Sequence, residues 1–192
     1  MADSAAHSKS ELRKQIRAAL DKISPAVRAV ESIELCDRLE PQLRSAHTIL
    51  FFAPMPEELD IWPLLEKFLA LGKTCALPFY DSTTKTYLAR QVQNLAADVS
   101  VGYFGIREPA STCPVIPLEK FDLVLVPGVA FDWNGNRLGR GKGFYDRLLK
   151  QVSGLKCGVG HDFQLLGKIP TEPHDARMNF IVTPTRCFRT SA

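Results

Sequence analysis

The segment NGNRLGRGKGFYDR (residues 134–147) alternates three glycines, Gly139, Gly141 and Gly143, with Arg140 and Lys142. Arg137 precedes the run and Arg147 follows it. Glycine lets an anion reach backbone N–H groups with no Cβ in the way, and the cations add charge. The chemistry indicated is the binding and positioning of phosphate. The spacing departs from two familiar phosphate loops. Gly141-Lys142 leads to Gly143 rather than Ser or Thr, and G-x-G-x-G replaces G-x-G-x-x-G. A flexible basic surface loop would also mix glycine with cations. The position between a buried strand and a helix start favours a phosphate cradle.

Other chemistry-bearing residues are scattered. Lys9 and Arg13 lie four apart on one helical face, within reach of one polyphosphate. Lys14 and Arg17 sit beside them, so spacing alone favours a solvated basic face. Asp146 falls in the first turn after the glycines, where a carboxylate also complements the helix dipole. Asp175 lies in a Pro-containing loop, where a local turn role is the simpler account. His161 and His174 show no metal-ligand spacing and receive no catalytic role. Cys36, Cys75, Cys113, Cys157 and Cys187 form no C-x-x-C pair and are odd in number. That excludes a disulfide framework and a structural zinc site, and Cys36, Cys75 and Cys157 read as buried free thiols.

The elements that must hold these groups follow from periodicity. FDLVLVPG, ahead of the glycines, is a continuous apolar run, the mark of a fully buried strand, and FYDRLLKQV follows them as a helix. Ligands in open α/β sheets bind at such carboxyl ends. SKSELRKQIRAALDKI carries Leu12, Ile16, Ala19 and Leu20 on one stripe. Ser24-Pro25 starts a second helix with Val27, Val30, Leu35 and Leu39 inward, stopping near Pro41. HTILFFAP reads as a strand, and LDIWPLLEKFLALGK as a helix capped by Asp60 and closed by Gly72. TCALPFY is a strand ending near Pro78, and KTYLARQV a half-exposed one. Residues 94–118 form a long irregular connection, and LKCGVG and NFIVT are the last strands. The alternation predicts one α/β domain over residues 1–192, with a mostly parallel sheet covered on both faces and residues 1–8 as a flexible tail.

Composition excludes other classes. A hydrophobic share of 45% with 23% charged residues is globular rather than disordered. A net charge of +3 is too small to imply nucleic-acid binding, so any anion site must come from local clustering. No apolar run approaches a membrane span, and the N-terminus lacks a signal-peptide core. The expectation is a cytoplasmic protein acting on small molecules as a monomer, with no membrane or nucleic-acid partner.

NRLGRGKGFYDR after LVLVPGVAFD resembles the signature of the 5-formyltetrahydrofolate cyclo-ligase (5,10-methenyltetrahydrofolate synthetase) family. KSELRKQIR resembles that family's N-terminal basic helix, PEELD its acidic segment, and IPTEPHDARMNFIVTP the segment with an Asp before the final strand. The resemblance implies a three-layer α/β/α, Rossmann-like (NagB/RpiA/CoA transferase-like) fold. It implies an ATP- and magnesium-dependent closure of 5-formyltetrahydrofolate to 5,10-methenyltetrahydrofolate through a phosphorylated formyl group, releasing ADP and phosphate. It assigns ATP to Lys9, Arg13, Arg137, Leu138, Gly139, Arg140, Gly141, Lys142, Gly143, Phe144 and Tyr145. Folate falls to Phe52, Glu58, Arg140 and Phe144, with Glu57 one residue from Glu58 and Phe52 equally suited to core. Arg140 and Lys142 take the catalytic roles, and Asp146 and Asp175 hold magnesium. Two positions depart from the pattern: Phe144 stands where many relatives have Tyr, and IVTPTR lacks the acid that often follows the Thr. A nucleic-acid module using the same basic loop, and a sugar-phosphate isomerase, are the competing classes.

Overall fold

The computed structural model describes residues 2–102, 105–172 and 175–190. In chain order its elements are α1 (Ala2–Leu20), α2 (Pro25–Leu43), β1 (Thr48–Leu50), α3 (Trp62–Ala70), β2 (Thr74–Asp81) and β3 (Thr86–Val92). Then come α4 (Leu95–Asp98), β4 (Val99–Val101), β5 (Arg107–Pro109), β6 (Val115–Ile116), β7 (Leu123–Pro127), β8 (Ala130–Asp132) and β9 (Arg137–Leu138). The chain closes with α5 (Phe144–Leu149), β10 (Leu155–Val159), β11 (Leu165–Leu166), β12 (Phe180–Val182) and β13 (Cys187–Arg189).

The main sheet has the order β13-β12-β10-β7-β1-β2-β3-β6. Its middle, β12 to β2, is parallel, while β3, β6 and β13 are antiparallel additions at the edges. The direction of winding reverses between β1 and β7, leaving a crevice beyond the carboxyl ends of those two strands. Alternation along β7 explains its apolar sequence. Leu123 and Leu125 point into one core cluster with α2 and α3, and Val124 and Val126 into the other with α5. A third cluster seats α1: Ile16 and Leu20 pack on Val129, Ala130 and Leu138 of the β8–β9 hairpin and on Ile169. The α/β class with a largely parallel, two-faced sheet is as the sequence predicts.

Several local expectations are corrected. In α2 the buried positions are Ser32, Leu35, Leu39 and Leu43, spaced three and four apart, while Val27 and Val30 are exposed at 49% and 56%. Extending that stripe backwards reaches Arg28, and the five-residue step from Val30 to Leu35 breaks the helical period. The helix also tolerates Pro41 and ends two residues later, at Leu43. Asp60 caps α3 from one residue further out than expected: its Oδ1 accepts from Trp62 N–H at 2.8 Å. Strand β2 runs through Pro78 to Asp81, because pairing with β1 stops at Ala76 and the proline has β3 alone as its ladder partner. Helix α5 is only six residues long and loosens into i→i+3 bonds at Gln151 and Val152. Residues 94–118 hold short elements, α4 and β4 to β6, and the loops beside the glycine run add a three-stranded sheet β11-β8-β9. Among the described residues no helix is long and apolar enough to cross a membrane.

Candidate active site

The β8–β9 hairpin aims the glycine run across the mouth of the crevice. Gly141 and Gly143 adopt φ +97° and +64°, conformations that exclude most side chains, so their alternation with Arg140 and Lys142 is a backbone requirement. At Gly139 an added Cβ would come within 3.0 Å of both terminal nitrogens of Arg137, so the glycine makes room for that guanidinium. Arg137 is buried, donates to Pro127 O at 3.2 Å, and pairs with Asp146 Oδ1 at 2.8 Å. The pair fixes the first turn of α5 to the end of β9.

Helix α1 lies against the same loop. Arg13 Nε donates to Gly139 O at 2.8 Å, and its guanidinium would sit 3.5 Å from a Cβ at Gly141. Burial lowers the Arg13 pKa, and the neighbouring Arg17 charge lowers it further, against the opposing pull of Asp175, Glu172 and Asp146. Lys9, one turn earlier, is 7% exposed and reaches Asp175 Oδ2 at 2.7 Å and Glu172 Oε2 at 3.3 Å. Lys9 and Arg13 therefore face the glycine loop and its neighbours, while Lys14 and Arg17 stay exposed.

The loop after β1 closes a third side. Arg140 Nη2 pairs with Glu57 Oε1 at 2.9 Å and Glu58 Oε1 at 2.8 Å. Burial alone would lower the Arg140 pKa, but Glu58 and Glu57 outweigh it and the net shift is upward. Glu58 is the better fixed acid, because its Oε2 also accepts from Met55 N–H at 3.0 Å. Together with Gly128, Val129 and Gln164 these residues line a cavity of about 140 Å³ at the crevice between β1 and β7.

The predicted residues Lys9, Arg13, Arg137, Gly139, Arg140, Gly141, Asp146, Asp175 and Glu58 are linked by these contacts into one neighbourhood. Lys142 Nζ lies 5.8 Å from the centroid of the Phe144 ring. Two predicted residues stand apart. Phe52 is 3% exposed and belongs to the main core, and the Leu138 side chain is buried in the cluster beneath α1. Tyr145 packs against both core clusters, and burial, with Glu58 second, pushes its hydroxyl well above the ordinary phenol range.

Phe144 joins an aromatic group that the sequence reading missed. Its ring centroid is 4.8 Å from Tyr87 and 6.1 Å from Tyr80, and those two are 5.0 Å apart. The signal was present in the β2–β3 hairpin, whose register sets Tyr80 directly opposite Tyr87. Burial and the adjacent Tyr80 push the Tyr87 hydroxyl up to about 12. Glu172, the second partner of Lys9, was also missed. At the C-terminal departure, Thr183 and Thr185 both donate to Asp162 Oδ1, at 2.5 and 2.8 Å. His161 is buried against Glu31, 2.6 Å away, and His174 lies outside the described residues.

The arrangement suits an anionic, phosphate-bearing ligand: an open backbone at Gly141 and Gly143, with Arg13 of α1 and Arg137, Arg140 and Lys142 of the loop itself close by. For a divalent cation the fit is conditional. Asp146 and Asp175 both act on the Arg13 charge, but each already faces a cation, and no group of three or more His, Cys, Asp or Glu gathers among the described residues. The set fits a magnesium ion that arrives with phosphate ligands and keeps some water, not a preformed protein cage.

Comparison with known proteins identifies the family. The model of the 5-formyltetrahydrofolate cyclo-ligase family matches residues 5–184. The chain is similar to 5-formyltetrahydrofolate cyclo-ligase of Escherichia coli, 35% identical over 76% of this chain and 82% of that one. It is 34% identical to the Mycolicibacterium smegmatis protein of the same name, over 93% and 95%. Among solved structures it resembles Aquifex aeolicus 5,10-methenyltetrahydrofolate synthetase, with a TM-score of 0.85 and 35% identity over 94% of this chain and 92% of that one. The chain belongs to the 5-formyltetrahydrofolate cyclo-ligase family, and it is a ligase.

Proposed function

We propose that this enzyme closes 5-formyltetrahydrofolate to 5,10-methenyltetrahydrofolate with consumption of ATP, and that magnesium accompanies the nucleotide. The observation that carries the reading is the convergence of Arg13 and Arg137 on a loop whose glycines leave the backbone open, with Lys9 one turn away on α1 against Asp175. Phosphoryl transfer asks the protein for positioning and charge neutralisation rather than covalent help, and this set supplies both. The formyl oxygen takes the terminal phosphoryl group and ADP departs. The neighbouring amine nitrogen then attacks the activated carbon and loses its proton, and phosphate leaves as the ring closes.

Each side of the site has a part in that sequence. Backbone N–H groups of the glycine run and the Lys142 ammonium hold the phosphates, while Arg140 faces charge developing on the transferred group. Asp146 and Asp175 would hold magnesium, which supplies charge neutralisation at the phosphate oxygens when bound. Glu58, fixed by Met55 N–H and Arg140, accepts hydrogen bonds from the pterin, and Phe144 with Tyr80 and Tyr87 forms an aromatic wall beside it. Ring stacking survives the Phe144 departure, and only a hydroxyl is lost. The test is stoichiometry: ADP and inorganic phosphate are each released in equal amount to methenyl product. Product formed without ADP release would sink the phosphorylation route.

A further inference from the structure

Asp132 ends β8 and is completely buried. Its Oδ1 accepts from Asn134 N–H and Asn136 N–H, both at 3.0 Å, and its Oδ2 from Asn136 Nδ2 at 2.9 Å. A fourth donor comes from elsewhere: Ile169 N–H reaches Oδ2 at 3.2 Å. A buried carboxylate needs such a set of donors, and here they belong to two different segments. One is the 132–136 turn, which leads into Arg137 of β9 and then the glycine run. The other is the strap between β11 and β12, described over residues 167–172 and 175–178, whose Glu172 and Asp175 hold Lys9.

The strap is pinned to the same turn at its far end. Arg177 Nη2 donates to Asn134 O at 2.6 Å, and Met178 N–H to Gly135 O at 2.8 Å. The pinning at Gly135 is close: a Cβ there would come within 2.5 Å of Met178 O. Ile169 itself is 1% exposed and lies under α1 in the cluster with Ile16, Leu20 and Leu138. One buried carboxylate thus joins the glycine loop, the acidic strap and the seat of the basic helix.

We propose that Asp132 is a positioning residue for the nucleotide: it sets the strap carboxylates at a fixed separation from the glycine loop, so that both sides close on one ligand. The proposal rests on the nucleotide reading given above. Asp132→Asn is the selective variant. Its amide oxygen still serves the two backbone donors of the turn, and Asn136 can flip its side-chain amide to accept from the new NH2 group, whereas Ile169 N–H loses its acceptor. The strap is released and the turn survives.

The measurements are calorimetric affinity for a non-hydrolysable ATP analogue with magnesium, hydrogen exchange at the Ile169 amide, and KM for 5-formyltetrahydrofolate. The expected result for Asp132→Asn is about a tenfold loss of nucleotide affinity, the worth of one buried hydrogen bond to a charge. Exchange at Ile169 quickens, and the folate KM stays within about twofold, since the pterin side is held by other residues. Arg177→Ala, at the exposed end of the strap, moves nucleotide affinity in the same direction by about threefold. A folded Asp132→Asn with unchanged nucleotide affinity overturns the proposal, as does an equal loss for nucleotide and folate. If Asp132→Asn does not fold, unchanged affinity in Arg177→Ala overturns it. Wild-type protein that binds no nucleotide sinks the nucleotide reading first, and the proposal with it.

Discussion

Glu57 and Glu58 share one arginine yet differ in what holds them. Glu58 has a second, backbone partner in Met55 N–H, and its side chain is 15% exposed against 30% for Glu57. A carboxylate fixed at both oxygens can present a constant geometry to a substrate, whereas one tethered at a single atom mainly neutralises charge. Glu58→Gln is therefore expected to lower kcat/KM for 5-formyltetrahydrofolate by about 10–100-fold, the range for losing a charge-assisted hydrogen bond. Glu57→Gln should stay within about threefold, as a partly exposed ion pair is worth under about 1 kcal/mol. Steady-state kinetics on both variants decides it, and equal losses would contradict the assignment. Sequence alone could not separate the two acids, because their difference lies in one hydrogen bond to a loop N–H group.

At the scale of elements, the glycine run depends on backbone shape more than on side chains. At Gly141 an added Cβ meets only ordinary contacts with Arg13, so strain comes from φ +97°. Gly141→Ala should cost about 1–2 kcal/mol of local strain, leave the protein folded and raise KM for ATP while folate KM changes little. Thermal melting with substrate titrations checks both halves. The placement of this loop between a buried strand and a helix start was legible in the sequence, because LVLVP is apolar throughout and FYDRLL follows the glycines. The strands were legible for the same reason: β7 must be apolar throughout when both faces are covered. What escaped detection was set by tertiary partners. The inner face of α2 was misread where Val27 and Val30 broke the period, and the Tyr80–Tyr87 pair required the hairpin register. Glu172 and the strap have no periodicity, since their geometry comes from long-range bonds to Lys9 and to the Asp132 turn. Phe52 and Leu138 show the opposite limit: the resemblance assigned them to ligands, yet their side chains face the core.

Across the whole molecule, the two ends of the parallel sheet differ: backbone ties gather at one and the candidate site at the other. At the amino end, Asp122 Oδ2 accepts from His47 N–H at 2.8 Å and Thr48 N–H at 2.9 Å, tying the start of β1 to that of β7. The Thr48 bond first, and the His47 bond next, hold its pKa below the ordinary aspartate value. A carboxyl whose folded pKa is lowered contributes stability above its unfolded pKa of about 4, and that contribution disappears as pH falls through the folded value. Asp122→Asn should thus lower the melting temperature by about 2–4 °C at pH 7, from about 1 kcal/mol for so exposed a group. The gap from wild type should narrow below about pH 4, and a gap independent of pH would contradict the account. At the carboxyl end, the crevice between β1 and β7 gathers α1, the glycine hairpin, the acidic loop and the strap into one site. The most direct test of that site is the absorbance of the methenyl product, followed with 5-formyltetrahydrofolate and magnesium, with and without ATP. The account predicts a rise that requires ATP and falls by at least about 100-fold in Lys142→Ala, as removal of a group that neutralises transition-state charge should give. A flat trace from folded wild-type protein that still binds ATP would contradict it.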